Sequence, residues 1–232
     1  MLAILMKRSA QHAAPQAVTL AASSVASNIS RPSLADKPWE DIQQILKQDV
    51  SYLRTLSGSK EKDPFKHALI EKYRPLIQKL LQTHKGNYGN LDVMWHWFLW
   101  HVDLGKLDTI HDEFRLAIDG GLDTPSSWKM DGQTAFLGYV FQYSHEAYKA
   151  NKGFNRVYLT SAVLDLQKGE LATNVPLKVK MFRLVGDWHY EDGNRKDAHD
   201  LFELVMKLDP NKGGCKGKLK ELKQELGYDQ PD

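Results

Sequence analysis

The stretch LDVMWHWFLWHVDLGKLDTIHDEFRLAIDGGL, residues 91–122, decides the fold. Its first half, about Leu91 to Leu104, is aromatic almost all round, which predicts a helix covered by other elements on both faces. Its second half, Lys106 to Asp119, carries apolar residues at the spacing of an amphipathic helix: Leu107, Ile110, Phe114, Ala117 and Ile118. Gly105 joins the two helices, and Gly120-Gly121 ends the second because glycine adopts the left-handed cap conformation freely. The stretch therefore predicts a helical hairpin.

A related hairpin follows 88 residues later, between Arg183 and Met206. The identities fall at the turn and on the inward face: Trp100/Trp188, His101/His189, Gly105/Gly193, His111/His199, Asp112/Asp200, Phe114/Phe202 and Leu116/Leu204. The second copy also has tetratricopeptide spacing, with Phe182, Val185-Gly186 and His189, then Ala198 and Phe202, then Pro210. Two such hairpins indicate a helix-repeat scaffold that is too short to be a solenoid.

The rest of the chain shows helical periodicity and no convincing strand pattern. Helices are predicted over about 39–56, 60–81 with a kink or break at Pro75, 133–149, 154–168, 176–190, 195–208 and 216–226. The predicted fold class is all-α, with tetratricopeptide-like hairpins and a basic N-terminal helical region. Four regions follow: a disordered or flexible tail (1–38), a basic region for DNA binding or assembly (39–90), a hairpin body (91–210) and a charged C-terminal helix and tail (211–232).

The charge distribution is uneven although the chain as a whole carries only +2. Residues 37–90 have a net charge of +4 and residues 91–210 a net charge of −5. This pattern favours a polyanion-binding front on a protein-binding body. The single cysteine, Cys215, excludes an internal disulfide, and no apolar run has the length needed to span a bilayer.

No catalytic signature is legible in the sequence. A metal nuclease needs convergent carboxylates, and Asp49, on or beside the apolar stripe of the first helix, is the one candidate catalytic acid. The favoured alternative is that Asp49 pairs with a lysine of its own helix or makes a polar contact between helices. The histidines have no ligand spacing, so no metal site is predicted. A phosphate loop and a nucleophile elbow are also absent from the sequence.

Basic residues in the region 39–90 form the candidate DNA-binding set. Two adjacent helix faces would present them to a DNA backbone, where affinity depends mostly on counterion release. The set comprises Lys47, Arg54, Lys60, Lys62, Lys66, Lys72 and Arg74.

Three collinear blocks, over about residues 42–226, resemble the small terminase subunit of peduovirus-like tailed phages. The first block is Leu46-Lys47-Gln48-Asp49 with Leu53-Arg54-x-x-Ser57, followed by the Tyr73–Pro75 region. The second is Leu99-Trp100-x-x-Asp103-x-Gly105, then Ala117-Ile118-x-x-Gly121-Leu122-x-x-Pro125. The third runs from Leu159-Thr160 through Pro176 and Gly193 to Leu208-Asp209 and the terminal helix.

The resemblance implies a DNA-packaging function in the bacterial host cytoplasm. Such subunits recognise the cohesive-end region of double-stranded phage DNA and deliver the concatemer to the large terminase ATPase subunit. The family is also described as the terminase endonuclease subunit. The residues support binding better than autonomous hydrolysis, so we expect the cutting carboxylates, and any Mg²⁺, in the large subunit, with no cofactor intrinsic to this chain. A homo-oligomeric ring is a further expectation.

Two other hypotheses stay open at this point. The chain could be a self-sufficient, metal-dependent endonuclease whose acid cluster forms only on folding. It could instead be a tetratricopeptide-like adaptor that binds a peptide and has no contact with nucleic acid.

Overall fold

The computed structural model describes residues 33–228, and these residues form an all-α structure without strands. The helices in this part of the chain are α1 (Trp39–Thr55), α2 (Gly58–Thr83), α3 (Asp92–Asp103), α4 (His111–Asp119), α5 (Gly132–Lys149), α6 (Val157–Lys168), α7 (Val175–Glu191), α8 (Arg195–Leu208) and α9 (Lys216–Glu225). Within the described range, no helix is both long enough and apolar enough to cross a membrane.

Helices that follow one another in sequence pack against one another in space. Asp49 of α1 contacts Lys72 of α2, and Trp97 of α3 donates a hydrogen bond to the carbonyl of Ile70 in α2 (3.1 Å). The chain continues in the same way through α5, α6, α7, α8 and α9. This succession of packed helices without strands among the described residues confirms the predicted all-α fold.

Helix α3 lies at the centre of the first half of the core. Met94, Trp95 and Phe98 have no exposed surface, and Trp100 is only 1% exposed. Burial of each such side chain contributes about 2–3 kcal/mol. As its aromatic composition predicts, α3 is covered on more than one side, by α2 and by α4.

Helix α2 passes through Pro75 without a break, where the sequence predicts a kink or a split. Proline removes one hydrogen bond from the helix and costs about 3 kcal/mol. The ring of Pro75 is exposed, while Tyr73, Leu76 and Ile77 beside it are buried. Packing of this face against the neighbouring helices offsets the cost, so α2 remains one element of 26 residues.

The second half of the first hairpin also differs from the prediction of one helix from Lys106. A 3₁₀ turn, Leu107–Thr109, comes first, and α4 begins only at His111. The hydroxyl of Thr109 donates to the carbonyl of Lys106 (2.8 Å), and Ile110 has a φ of −134°. Side-chain bonds of this kind compete with regular helix bonds, which explains the irregular start.

The expected N-terminal tail, residues 1–38, lies mostly outside the described residues. Residues 33–38 contain a 3₁₀ turn, Leu34–Asp36, in which Leu34 is buried. The Lys79 ammonium group of α2 donates to the carbonyl of Ala35 (2.6 Å). This contact fixes the entry to α1 on the surface of α2.

Candidate nucleic-acid interface

Three of the seven candidate DNA-binding cations already have acidic partners within the fold. Lys66 pairs with Asp103 of α3 (2.9 Å), Lys72 with Asp49 of α1 (2.6 Å) and Arg74 with Glu71 one turn before it (2.6 Å). A paired cation carries less net positive potential toward a phosphate. These three residues tie helices together or stabilise α2 locally, and they are poorly placed to release counterions on DNA binding.

Lys47 and Arg54 lie together on a different side of α1. Seven residues separate them, about 10 Å along the helix axis, so both point to the same face. They line a groove of about 360 Å³ between α1, the start of α3 and the segment around Pro125. No ion pair involves either cation within residues 33–228. The groove floor is apolar, with Trp39, Ile42, Leu46, Val50 and Val93.

His96 of α3 forms part of the opposite wall of this groove. Burial, followed by the positive charge of Arg54, lowers the pKa of His96 from 6.5 to about 4. The imidazole is therefore neutral near pH 7 and leaves the positive charge of the groove to Lys47 and Arg54. Asp92, one turn earlier, also lines the groove, and burial raises the pKa of its carboxyl group.

Lys60 and Lys62 occupy the first turns of α2 and are not part of the groove lining. Lys60 is exposed and Lys62 is partly buried. In the part of the chain that the structure describes, neither has an acidic partner. The structure thus brings Lys47 and Arg54 together, leaves Lys60 and Lys62 near the α1–α2 turn, and directs the remaining three cations into ion pairs.

Asp49, the candidate catalytic acid, lies on the side of α1 that faces α2. Its Oδ2 atom accepts hydrogen bonds from the Lys72 ammonium group (2.6 Å) and from the Tyr73 hydroxyl (2.7 Å). Burial and the bond to Asp49 raise the pKa of Tyr73, which keeps this donor protonated. Across residues 33–228, no three His, Cys, Asp or Glu side chains are grouped in a way that could hold a metal ion. The contact matches the interpretation of Asp49 as a polar group between helices.

A family model described as the phage small terminase subunit matches residues 43–174. The match covers more than half of the 232 residues and runs from α1 to the end of the α6–α7 loop. The chain belongs to the phage small terminase subunit family. No curated protein and no solved structure matches it. Membership of the family supports a role in the DNA-packaging motor.

The groove of this small terminase subunit lies mostly within the matched segment, but sequence reasoning found only its α1 wall. His96 was hidden among the aromatic residues of α3. A visible signal was its position four residues after Asp92, which puts two polar side chains on one face of an otherwise apolar helix. The pairing of Arg74 with Glu71 was also visible as a spacing of three residues. The pairing of Lys66 with Asp103 joins two helices and has no local signal.

Proposed function

We propose that this chain is the DNA-recognition subunit of a packaging motor of peduovirus-like phages. It binds the cohesive-end region of the phage genome and directs its cleavage and packaging together with the large ATPase subunit. The observation that carries this proposal is the groove in which Lys47 and Arg54 lie on one face of α1 without acidic partners in the described residues.

Within the proposed surface, Lys47 and Arg54 contact phosphates of duplex DNA directly. Both side chains are exposed, and their common helix face allows both to reach one backbone. Lys60 and Lys62 extend the positive surface toward the α1–α2 turn. Lys66, Lys72 and Arg74 act indirectly, because their ion pairs hold α2 against α1 and α3 or stabilise α2 itself.

The phosphodiester chemistry belongs to the large subunit in this proposal. Support comes from Asp49, whose carboxylate already bonds to Lys72 and Tyr73 between two helices. Magnesium would then act at the nuclease of the large subunit. The helical hairpins of the body would contact that subunit and neighbouring copies of this chain in a ring.

A DNA-binding titration tests the proposed surface. We expect Lys47→Ala/Arg54→Ala to weaken binding of cohesive-end duplex about tenfold at physiological salt, because two phosphate contacts are lost. The slope of log affinity against log salt should fall by about 2. The matched control is Lys129→Ala/Lys196→Ala, which removes two exposed lysines of the body without ion pairs in the described residues. Equal affinities for the two double variants would refute this assignment.

A cleavage assay tests the division of labour. Purified chain, magnesium and plasmid DNA carrying the cohesive-end region are combined with and without the large subunit and ATP. Site-specific cutting only in the presence of the large subunit supports a recognition subunit. Specific cutting by this chain alone, abolished by a chelator, would instead make it a self-sufficient endonuclease.

A further inference from the structure

A second groove, separate from the one beside α1, lies between α5 and α7. It has a volume of about 260 Å³. Helix α5 contributes aromatic side chains and one cation, and α7 contributes two cations and an acid. The lining residues are Phe141, His145, Tyr148 and Lys149 of α5 and Lys180, Arg183, Leu184 and Asp187 of α7.

The groove is positively charged although it belongs to the acidic region of the chain. The groove lining contains three cations, Lys149, Lys180 and Arg183, and one acid, Asp187. Lys218 of α9 already pairs with Asp187 (2.8 Å), whereas Arg183 approaches the same carboxylate only to 3.9 Å. Among the described residues, Lys149 and Lys180 have no acidic partner. Lys149 and Lys180 are therefore available to an anionic ligand, whereas Arg183 lies beside Asp187.

The aromatic wall of the groove offers flat, uncharged rings beside these cations. The rings of Phe141 and His145 are stacked, with centroids 5.1 Å apart and planes 18° apart. Burial, and then the charge of Lys149, lowers the pKa of His145, so its ring is neutral near pH 7. Tyr148 is fixed by a hydrogen bond from its hydroxyl to Glu191. The Tyr148 ring is therefore held in place before a ligand arrives.

We propose that this α5–α7 groove binds single-stranded nucleic acid. Proteins that bind single strands combine cations that follow the backbone with aromatic rings on which bases stack, and both occur here within one groove. A base would stack against the Phe141–His145 platform while phosphates contact Lys149 and Lys180. A simple acidic peptide would use the cations but would leave the rings unused. The site goes beyond duplex recognition at α1 and does not depend on it.

Fluorescence anisotropy with a short, labelled oligothymidylate tests this site in the full chain. We expect Lys149→Ala/Lys180→Ala to weaken binding about tenfold, since two phosphate contacts are lost. Phe141→Leu keeps an apolar side chain but removes the ring, and we expect a loss of about fivefold. Affinity for cohesive-end duplex should stay within about twofold in both variants, because duplex contacts lie on α1.

The control Lys129→Ala/Lys196→Ala carries the same loss of charge and should bind oligothymidylate nearly as the unmodified chain does. Thermal melts of all variants confirm that the fold is intact. The proposal is overturned if the unmodified chain does not bind oligothymidylate, or if the control loses as much affinity as the groove variant. Equal losses for single strand and duplex would also overturn it. So would polyglutamate that competes as well as oligothymidylate at equal charge, since the groove would then select acidic polymers in general.

Discussion

The hairpins α3–α4 and α7–α8 share a turn but differ in how closely their helices approach. Gly105 and Gly193 both have a left-handed φ, of 68° and 81°. The amide of Lys106 bonds to the carbonyl of His101 (2.9 Å), and that of Asn194 bonds to the carbonyl of His189 (2.8 Å). The repeat seen in the sequence is therefore a repeat of turn geometry.

The difference arises at one pair of equivalent positions, Phe98 in α3 and Gly186 in α7. Phe98 stacks on Phe114, with ring centroids 4.5 Å apart and planes 8° apart. Gly186 has no side chain, and the ring of Phe202 lies so close that an added Cβ would be 2.7 Å from it. The same inward phenylalanine thus meets a ring in one hairpin and a backbone in the other. The two hairpins have the same turn, so the distance between their helices depends on the volume of the side chains that meet there.

Phe98→Ala should break the first hairpin and give the largest effect. The side chain has no exposed surface, and its removal leaves a cavity between α3 and α4. We expect a loss of about 3–5 kcal/mol in the free energy of unfolding, measured by urea denaturation. Phe98→Leu, which retains most of the volume, serves as the comparison. If Phe98→Ala costs no more than Gly186→Ala, the stack on Phe114 is not what supports this hairpin.

Gly186→Ala should damage the second hairpin by the opposite mechanism, overpacking. The new methyl group would meet the Phe202 ring at 2.7 and 2.9 Å, and we expect a cost of about 1–3 kcal/mol in urea denaturation. Gly138→Ala in α5 is the matched control, because its Cβ would meet nothing within 4 Å. There a gain of about 0.5–1 kcal/mol is expected, since alanine favours a helix. Equal effects at the two glycines would show that close packing is irrelevant.

His96→Leu should make the pH dependence of stability in the first hairpin more like that in the second. The residue of α7 equivalent to His96 is Leu184, which does not titrate. The folded-state pKa of His96 is about 4 against 6.5 when unfolded, so below pH 6.5 the unfolded chain binds the proton first. Stability attributable to this group therefore falls as the pH drops from 6.5 toward 4, by about 3 kcal/mol. Denaturation at a series of pH values should show a smaller decline for His96→Leu. If His96→Leu leaves the pH dependence of stability unchanged, burial of His96 is not a cause of that dependence. His84→Leu, at an exposed position, controls for the loss of a histidine.

Much of the fold could be predicted from local pattern alone. Helices α7 and α8 begin and end within a residue of the predicted limits, because Asn174 and Pro176 open the first and the turn at Gly193 separates the two. Pro75 misled the prediction because local geometry disfavours proline in a helix, whereas packing on two neighbouring helices decides the outcome. The irregular start of α4 depends on the hydroxyl group of Thr109, and the spacing of apolar residues gives no information about that hydrogen bond.

The candidate site was less accessible from sequence. The list of cations contained Lys47 and Arg54, but nothing local distinguishes them from Lys66 or Lys72. That distinction depends on Asp103 and Asp49, which lie on other helices and reach their lysines only in the folded chain. The α5–α7 groove was missed because Lys149, Lys180 and Arg183 belong to a region whose net charge is negative. Summed charge over a long segment conceals a local positive groove.

The contact at Asp49 has a mechanical consequence for α1. In the described part of the chain, the side-chain hydrogen bonds that join α1 to another helix both end on this carboxylate. The other contacts between α1 and α2 include the edge-to-face pair of Tyr52 and Phe65, whose ring planes are 70° apart. Asp49 is therefore the polar point that sets the register of α1 on α2, and through α1 it also sets where Lys47 and Arg54 stand over their groove.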